Sequence, residues 1–191
     1  MKKRTFTIFL ILSMLIAALL FSGCSKLKVG QAPVDQNKSL QDILPATNTI
    51  NQKLTLYFGD DQAMYLIPEI REVTIQKDAS TEAIAAAIVN ELIAGPTDKK
   101  MIATMPKGTK LLSLKITDQI AMVDFSQEMK SNHPGGSSGE VMTLNSLVDS
   151  LTELQGIKKV QILINGEKIE TLAGHMDTSK PLSRDESIFK K

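Results

Sequence analysis

Hydrophobic and polar positions change their rhythm several times along this chain, and each change marks an element. Residues 25–52 (SKLKVGQAPVDQNKSLQDILPATNTINQ) are polar and show no sustained period. From Lys53 the pattern alternates through Leu54-Thr55-Leu56-Tyr57-Phe58 and ends at the turn composition Gly59-Asp60-Asp61, which predicts a strand. Met64 to Ile67 predicts a second short strand that Pro68 breaks. Ile70 to Ile75 then continues extended, with Ile70, Val73 and Ile75 as core candidates.

The period next lengthens to that of a helix. Ile84, Ala85, Ile88, Val89, Leu92 and Ile93 form an apolar stripe behind the capping candidates Asp78, Ser80 and Thr81, and Gly95-Pro96 stops it. Two strands follow: Lys110 to Thr117 with Leu112, Leu114 and Ile116 on one face, and Gln119 to Phe125 with Ile120, Met122 and Val123 inward, joined at Asp118. After a long loop over 127–138, Ser137-x-x-Glu140 has capping-box spacing. It opens a second helix with Val141, Leu144, Leu147, Val148, Leu151 and Leu154 as its stripe. Ile157 to Ile164 alternates again, and Asn165-Gly166 is a hairpin signal that turns Glu167 to Leu172 back antiparallel. The tail from Met176 to Lys191 is polar and is expected to be irregular.

Helices interspersed with antiparallel hairpins define an α+β fold, with two helices packed on one face of a small, mainly antiparallel sheet. The other sheet face is expected to be loop-covered or solvated.

The amino terminus carries a different message. Lys2, Lys3 and Arg4 precede the apolar stretch Phe6 to Phe21, and Ser22-Gly23 stand directly before Cys24. A basic segment, an apolar core and small residues before a cut site describe a secretory leader. The small pair before a cysteine resembles the bacterial lipobox, in which the thiol is acylated and the cysteine becomes residue one. The apolar stretch falls short of the roughly 20 residues a spanning helix needs. The expected organisation is therefore a leader over 1–23, lipid attachment at Cys24, a flexible tether over 24–52, a domain over 53–184 and a tail over 185–191. At about 5–6 Å times the square root of its length, the tether would reach about 30 Å. The expected place is the extracytoplasmic face of the cell membrane, held there by the lipid anchor.

Composition narrows the classes. The chain has 22 basic and 21 acidic residues, and the leader removes three basic ones, leaving 19 against 21. That balance offers no footprint for nucleic acid. Aromatics are 4% and tryptophan is absent, which argues against stacking platforms. Cys24 is the sole cysteine, so no internal disulfide can hold the domain.

Candidate chemistry is sparse. Asp124, Ser126, His133 and His175 supply the residue types of a hydrolytic triad, but Ser126 lacks the G-x-S-x-G elbow. The bland alternative is that Asp124 and Ser126 satisfy backbone groups at a strand end. The two histidines are too far apart in sequence for zinc-site spacing, and Asp60-Asp61 and Asp177 lack the alternating ligands of a calcium loop. A solvated turn is the expectation for Asp60-Asp61. Gly135-Gly136-Ser137-Ser138 before the second helix lacks the phosphate-loop lysine and reads as a lead-in to a helix cap. The methionines are scattered and are expected to fill the core. No catalytic, cofactor or metal residue is assigned.

Several segments together resemble the GerMN domain of sporulation and germination lipoproteins. They are Leu54 to Phe58, Leu66-Ile67-Pro68-Glu69-Ile70-Arg71-Glu72-Val73, Glu91-Leu92-Ile93-Ala94-Gly95-Pro96-Thr97, Met105 to Thr109, Ala121 to Ser126, Val160 to Gly166, Gly174-His175 and Pro181 to Arg184. The resemblance implies a non-enzymatic envelope domain, similar to ring-building modules of secretion systems, that binds envelope proteins or itself. The alternatives are a small-ligand or cell-wall binding lipoprotein using a cleft near loop 127–138, and an envelope hydrolase acting through Ser126 with His133 or His175.

Overall fold

The computed structural model describes residues 48–189. The leader, Cys24 and most of the tether therefore lie outside the described residues. The first element, β1 (Thr49–Gly59), pairs antiparallel with β2 (Leu66–Gln76) in an eleven-residue register from Thr49↔Gln76 to Gly59↔Leu66. Residues 49–52, assigned to the tether by their polarity, are thus strand. The expected break at Pro68 does not occur: Pro68 sits opposite Tyr57 inside β2. An edge strand tolerates it, because among the described residues β2 forms its only ladder with β1, apart from a single bridge at Leu66, and the absent N–H interrupts no second ladder.

On β2 Val73 packs against the core as expected, but Ile70 points away from it. Ile70 is 70% exposed, whereas Glu69 and Arg71 lie opposite the buried Leu56 and Leu54. These charged residues clamp the end of the first long helix, α1 (Thr81–Ala94). Arg71 binds Glu69, meets Glu91 Oε2 at 2.6 Å and donates to the Gly95 carbonyl at 3.0 Å. Glu69 in turn accepts the Thr97 N–H at 2.9 Å. Burial opposes the Glu69 charge, yet Arg71 and the N–H groups of Thr97 and Asp98 hold its carboxyl below the usual range. The other end of α1 is as predicted, with the Ser80 hydroxyl accepting the Ala83 N–H.

The larger sheet contains β3 (Leu111–Thr117), β4 (Ile120–Phe125), β5 (Lys159–Ile164), β6 (Glu167–Lys168) and β7 (Leu182–Ser183). β3 and β4 form a hairpin, β4 and β5 run parallel, and β6 and β7 both pair antiparallel with β5. Two-residue turns with positive φ at Asp118-Gln119 and Asn165-Gly166 close the hairpins. Ala121, Val123 and Phe125 point inward on β4, opposite to the predicted Ile120 and Met122. On β3 a register shift between Leu111 and Ser113 turns Leu112 outward, while Leu114 and Ile116 keep their predicted inner positions.

The connection from β4 to β5 carries a short helix, α2 (Glu128–Ser131), and the central helix α3 (Ser137–Thr152). Every residue from Met142 to Leu151 is buried. Leu144, Leu147, Val148 and Leu151 join α1, Val123, Phe125, Val160, Ile162 and Ile164 in one core. Full burial of each such side chain contributes about 1.5–3 kcal/mol. The polar side of α3 meets the outer edge of β1. Tyr57 N–H donates to Ser150 Oγ at 3.0 Å, and Ser146 Oγ donates to the Tyr57 carbonyl at 2.6 Å. Gly59 and Ile102 exchange N–H···O bonds just beyond, at 3.0 and 2.8 Å.

The expected capping box is absent: the residue before α3 is Gly136, with no side-chain cap. Glu140 instead turns into the protein and is 0% exposed. Its carboxylate accepts the backbone N–H groups of Leu172, Ala173 and His175 at 2.9, 2.8 and 2.7 Å. This fixes the stretch after the short β6, where a longer strand to Leu172 was expected. The carboxy-terminal segment is likewise ordered. β7 pairs with β5, a 3-10 turn covers Glu186–Ile188, and Phe189 bridges to Leu66.

Burial opposes the Glu140 charge, but the N–H groups of Ala173, His175 and Leu172 hold its carboxyl below the ordinary value. Its contribution is accordingly present above the unfolded value of 4.5 and fades as the pH falls towards the lower folded value. Glu140→Ala should leave three N–H groups without an acceptor and cost about 3 kcal/mol or more in urea unfolding at pH 7. A loss below 1 kcal/mol, on the order of a surface change, would remove Glu140 from this role.

Candidate functional site at the amino end of the central helix

Where the β1–β2 turn, residues 102–104 and the start of α3 meet, two adjoining hollows of about 210 and 290 Å³ open to solvent. Ala63, Ser138 and Met142 line both. Gly59 permits this approach: a Cβ there would stand 3.2 Å from Met142 Cε. The turn is built by Asp60, which is buried and accepts the Met64 and Tyr65 N–H groups at 2.8 and 3.2 Å. That corrects the expectation of a solvated turn. Ala63 adopts φ 53° within it, and Met64, 58% exposed, stands at the lip. Ile102 and Tyr65 add further exposed apolar surface. Ile188 of the carboxy-terminal turn forms a wall of the larger hollow.

Hydrogen bonding behind the smaller hollow assigns the protons. Gly135 N–H donates to His133 Nδ1 at 3.0 Å, so that nitrogen carries no proton. His133 Nε2 therefore donates to Thr143 Oγ1 at 3.1 Å, and that hydroxyl donates to the Thr104 carbonyl at 2.7 Å. Burial pushes the imidazole below its ordinary value, against the pull of the Glu140 charge. A neutral histidine thus pins the loop that leads into α3.

The residues of the hydrolase alternative are not brought into one arrangement. Ser126 Oγ accepts the Lys110 N–H at 3.0 Å, and Asp124 accepts the Gly166 N–H at 2.7 Å, matching the strand-end reading of both. His133 faces Thr143, and the His175 backbone N–H is held by Glu140. None of the hydrogen bonds among the described residues joins Ser126 to either histidine. Among the described residues no group of three or more His, Cys, Asp or Glu is placed to hold a metal ion. Asp177 accepts from Ser179 in its own turn. The methionines divide: Met105 and Met129 are in the core, whereas Met64 and Met142 line the groove. Those two are 78 positions apart in the chain, and only the fold brings them together.

The architecture is that of a small α+β domain in which a long hairpin, two helices and a mixed sheet enclose one core. The profile of the Germane family, described as sporulation and spore germination, matches residues 55–170, and the chain belongs to that family. It is 27% identical over 176 residues to the spore germination protein GerM of Bacillus subtilis (strain 168), covering 85% of this chain and 46% of GerM. This chain thus spans less than half the length of that relative. Its fold is similar to the tandem GerMN domains of the same sporulation protein, with a TM-score of 0.58 and 23% identity over 70% of this chain and 46% of that one. A crystal structure of a candidate lipoprotein from Clostridium perfringens is 28% identical, with a TM-score of 0.51, covering 73% of this chain and 91% of that one.

Because its folded value lies below 6.5, His133 takes up its proton more readily in the unfolded chain, and stability falls as the pH drops through that range. Proton NMR should show His133 titrating below 6.5, with the Gly135 amide losing protection at the same midpoint. Titration at or above 6.5 would refute the neutral, pinned imidazole.

Proposed function

We propose that this chain is a lipoprotein, attached through Cys24 to the extracytoplasmic face of the cell membrane, and that its Germane domain binds envelope proteins in sporulation or germination. Its partners are other proteins of the envelope, further copies of the chain included, and the domain carries out no catalytic step. The observation that carries this reading is the groove beside α3. Its surface is mainly apolar, its lip exposes Met64 and Ile102, and the nearby histidine is engaged in pinning a loop. An exposed apolar patch of this kind suits a protein partner better than a small polar ligand, which needs convergent polar groups. Ser126 and the histidines are each engaged separately, which supports a binding role over a hydrolytic one. The family match and the lipoprotein-like leader support the envelope setting.

Two variants test the two halves. Cys24→Ala should abolish acylation by mass spectrometry and move the chain out of the membrane fraction. An acylated, membrane-bound Cys24→Ala product would overturn the anchor. Met64→Asp with Ile102→Asp should reduce capture of crosslinked partners in whole cells about tenfold or more, as expected when a central apolar contact of 1.4 kcal/mol or more is lost. Undiminished capture by a folded double variant would overturn the groove as the binding surface.

A further inference from the structure

The segment from Leu182 to Phe189 runs along α3 as a strap, from Arg184 and Asp185 at its far end to Ile188 beside Met142, and an ionisable group is sealed beneath it. Asp149 is 0% exposed. Its Oδ1 receives only a long hydrogen bond from the Asp185 N–H, at 3.3 Å, and its Oδ2 has no partner among the described residues. The nearest cation is Arg184, but that guanidinium is already committed. Its Nη1 donates to the Asp149 carbonyl at 2.9 Å and reaches Thr152 Oγ1 at 3.4 Å. Its Nη2 meets the Tyr57 hydroxyl at 2.9 Å and Glu153 at 3.0 Å, and its Nε faces Glu186 at 3.9 Å. Both terminal nitrogens are thus engaged elsewhere, the Nε faces the exposed Glu186, and no guanidinium hydrogen bond to the Asp149 carboxylate is present among the described residues. The same guanidinium lies over the Phe189 ring at 4.9 Å, and Phe189 stacks on Tyr57.

We propose that the strap is a latch that stays seated on α3 while Asp149 is neutral and lifts when that carboxyl ionises. A buried carboxylate without a donor is costly, and lifting the strap admits water to it. The groups facing Asp149 do not remove that cost. Glu153 on its own helix and Asp185 on the strap repel the charge, and Tyr57 on β1 binds Glu153 and Arg184. Arg184 and the Asp185 N–H favour the charge, but less than burial disfavours it. Burial raises the carboxyl from 3.8 to about 7. The seated strap therefore holds a proton, between those two values, that the lifted one releases, so seating weakens as the pH rises and levels off above about 7. Lifting would carry Ile188 away and uncover its cluster partners Tyr57, Leu66 and Met142, the last of which lines the groove. The latch does not depend on any partner binding there.

Amide hydrogen exchange of the Leu182, Asp185 and Phe189 N–H groups, corrected for intrinsic rates, tests this. Wild-type protection should fall about tenfold between pH 6 and pH 8. In Asp149→Asn, which keeps the shape without the charge, it should be the same at both. Equal wild-type protection at the two pH values, or the same fall in the variant, would overturn the latch. If Asp149→Asn does not fold, carbon-13 NMR of the wild-type carboxyl decides: its titration midpoint must coincide with that of the strap amides, and separate midpoints overturn the proposal.

Discussion

A two-stranded hairpin cannot hold itself together in water, and its outer backbone groups must be satisfied by something. In this domain α3 supplies the partner. Ser150 accepts the N–H of Tyr57 and Ser146 donates to its carbonyl as a neighbouring strand would, and the Ile102 backbone pairs with that of Gly59. The buried hydroxyls are satisfied in turn, with Ser150 Oγ donating to the Ser146 carbonyl and Thr104 Oγ1 meeting Ser146 Oγ. A helix that is polar on one side can therefore be buried on all sides. The groove, the His133 relay and the seat of the strap all lie on this same helix, so their positions follow from the docking of β1.

Charge held between segments, fully buried only at Glu140, is the second organising device. Arg71 with Glu69, Glu140, and Arg184 with Glu153 each join segments distant in sequence. The first satisfies backbone groups at the end of α1, Glu140 those of the stretch after β6, and Arg184 the Asp149 carbonyl near the end of α3. Several segments that carry the GerMN resemblance are these partners. Leu66 to Val73 is wired to Glu91 to Thr97, and Gly174-His175 is held by Glu140.

Element type was legible wherever a local pattern decided it. The stripe of α1, its Ser80 cap and its Gly95 stop needed only spacing, and Asn165-Gly166 needed only turn chemistry. Which face of a strand is buried was less legible, because it depends on pairing. On β4 the large Ile120 and Met122 suggested one face, yet the two-residue turn at Asp118-Gln119 sets Ala121 opposite Ile116 and Val123 opposite Leu114. Counting outward from the tip would have given the observed face. The inward roles of Glu69 and Arg71 were illegible because their partners, the carbonyls and amides ending α1, leave no mark in the sequence. The capping-box spacing of Ser137 and Glu140 misled for the same reason, since tertiary acceptance of three N–H groups outweighs a local cap. The groove was illegible, being made by three separated segments. The long loop over 127–138 pointed only to its neighbourhood.

The eleven-residue pairing of β1 with β2 also has a mechanical meaning. The amino-terminal side of the chain enters the domain at Thr49, whereas the groove opens beside Gly59, about 33 Å further along the same strand. Tension between an amino-terminal attachment and a load held at the groove would run along β1. It would shear the ladder, straining its hydrogen bonds together, whereas a pull across the strands would part them one pair at a time. The Tyr57 clamp to α3 sits near the loaded end and would share that force with the core.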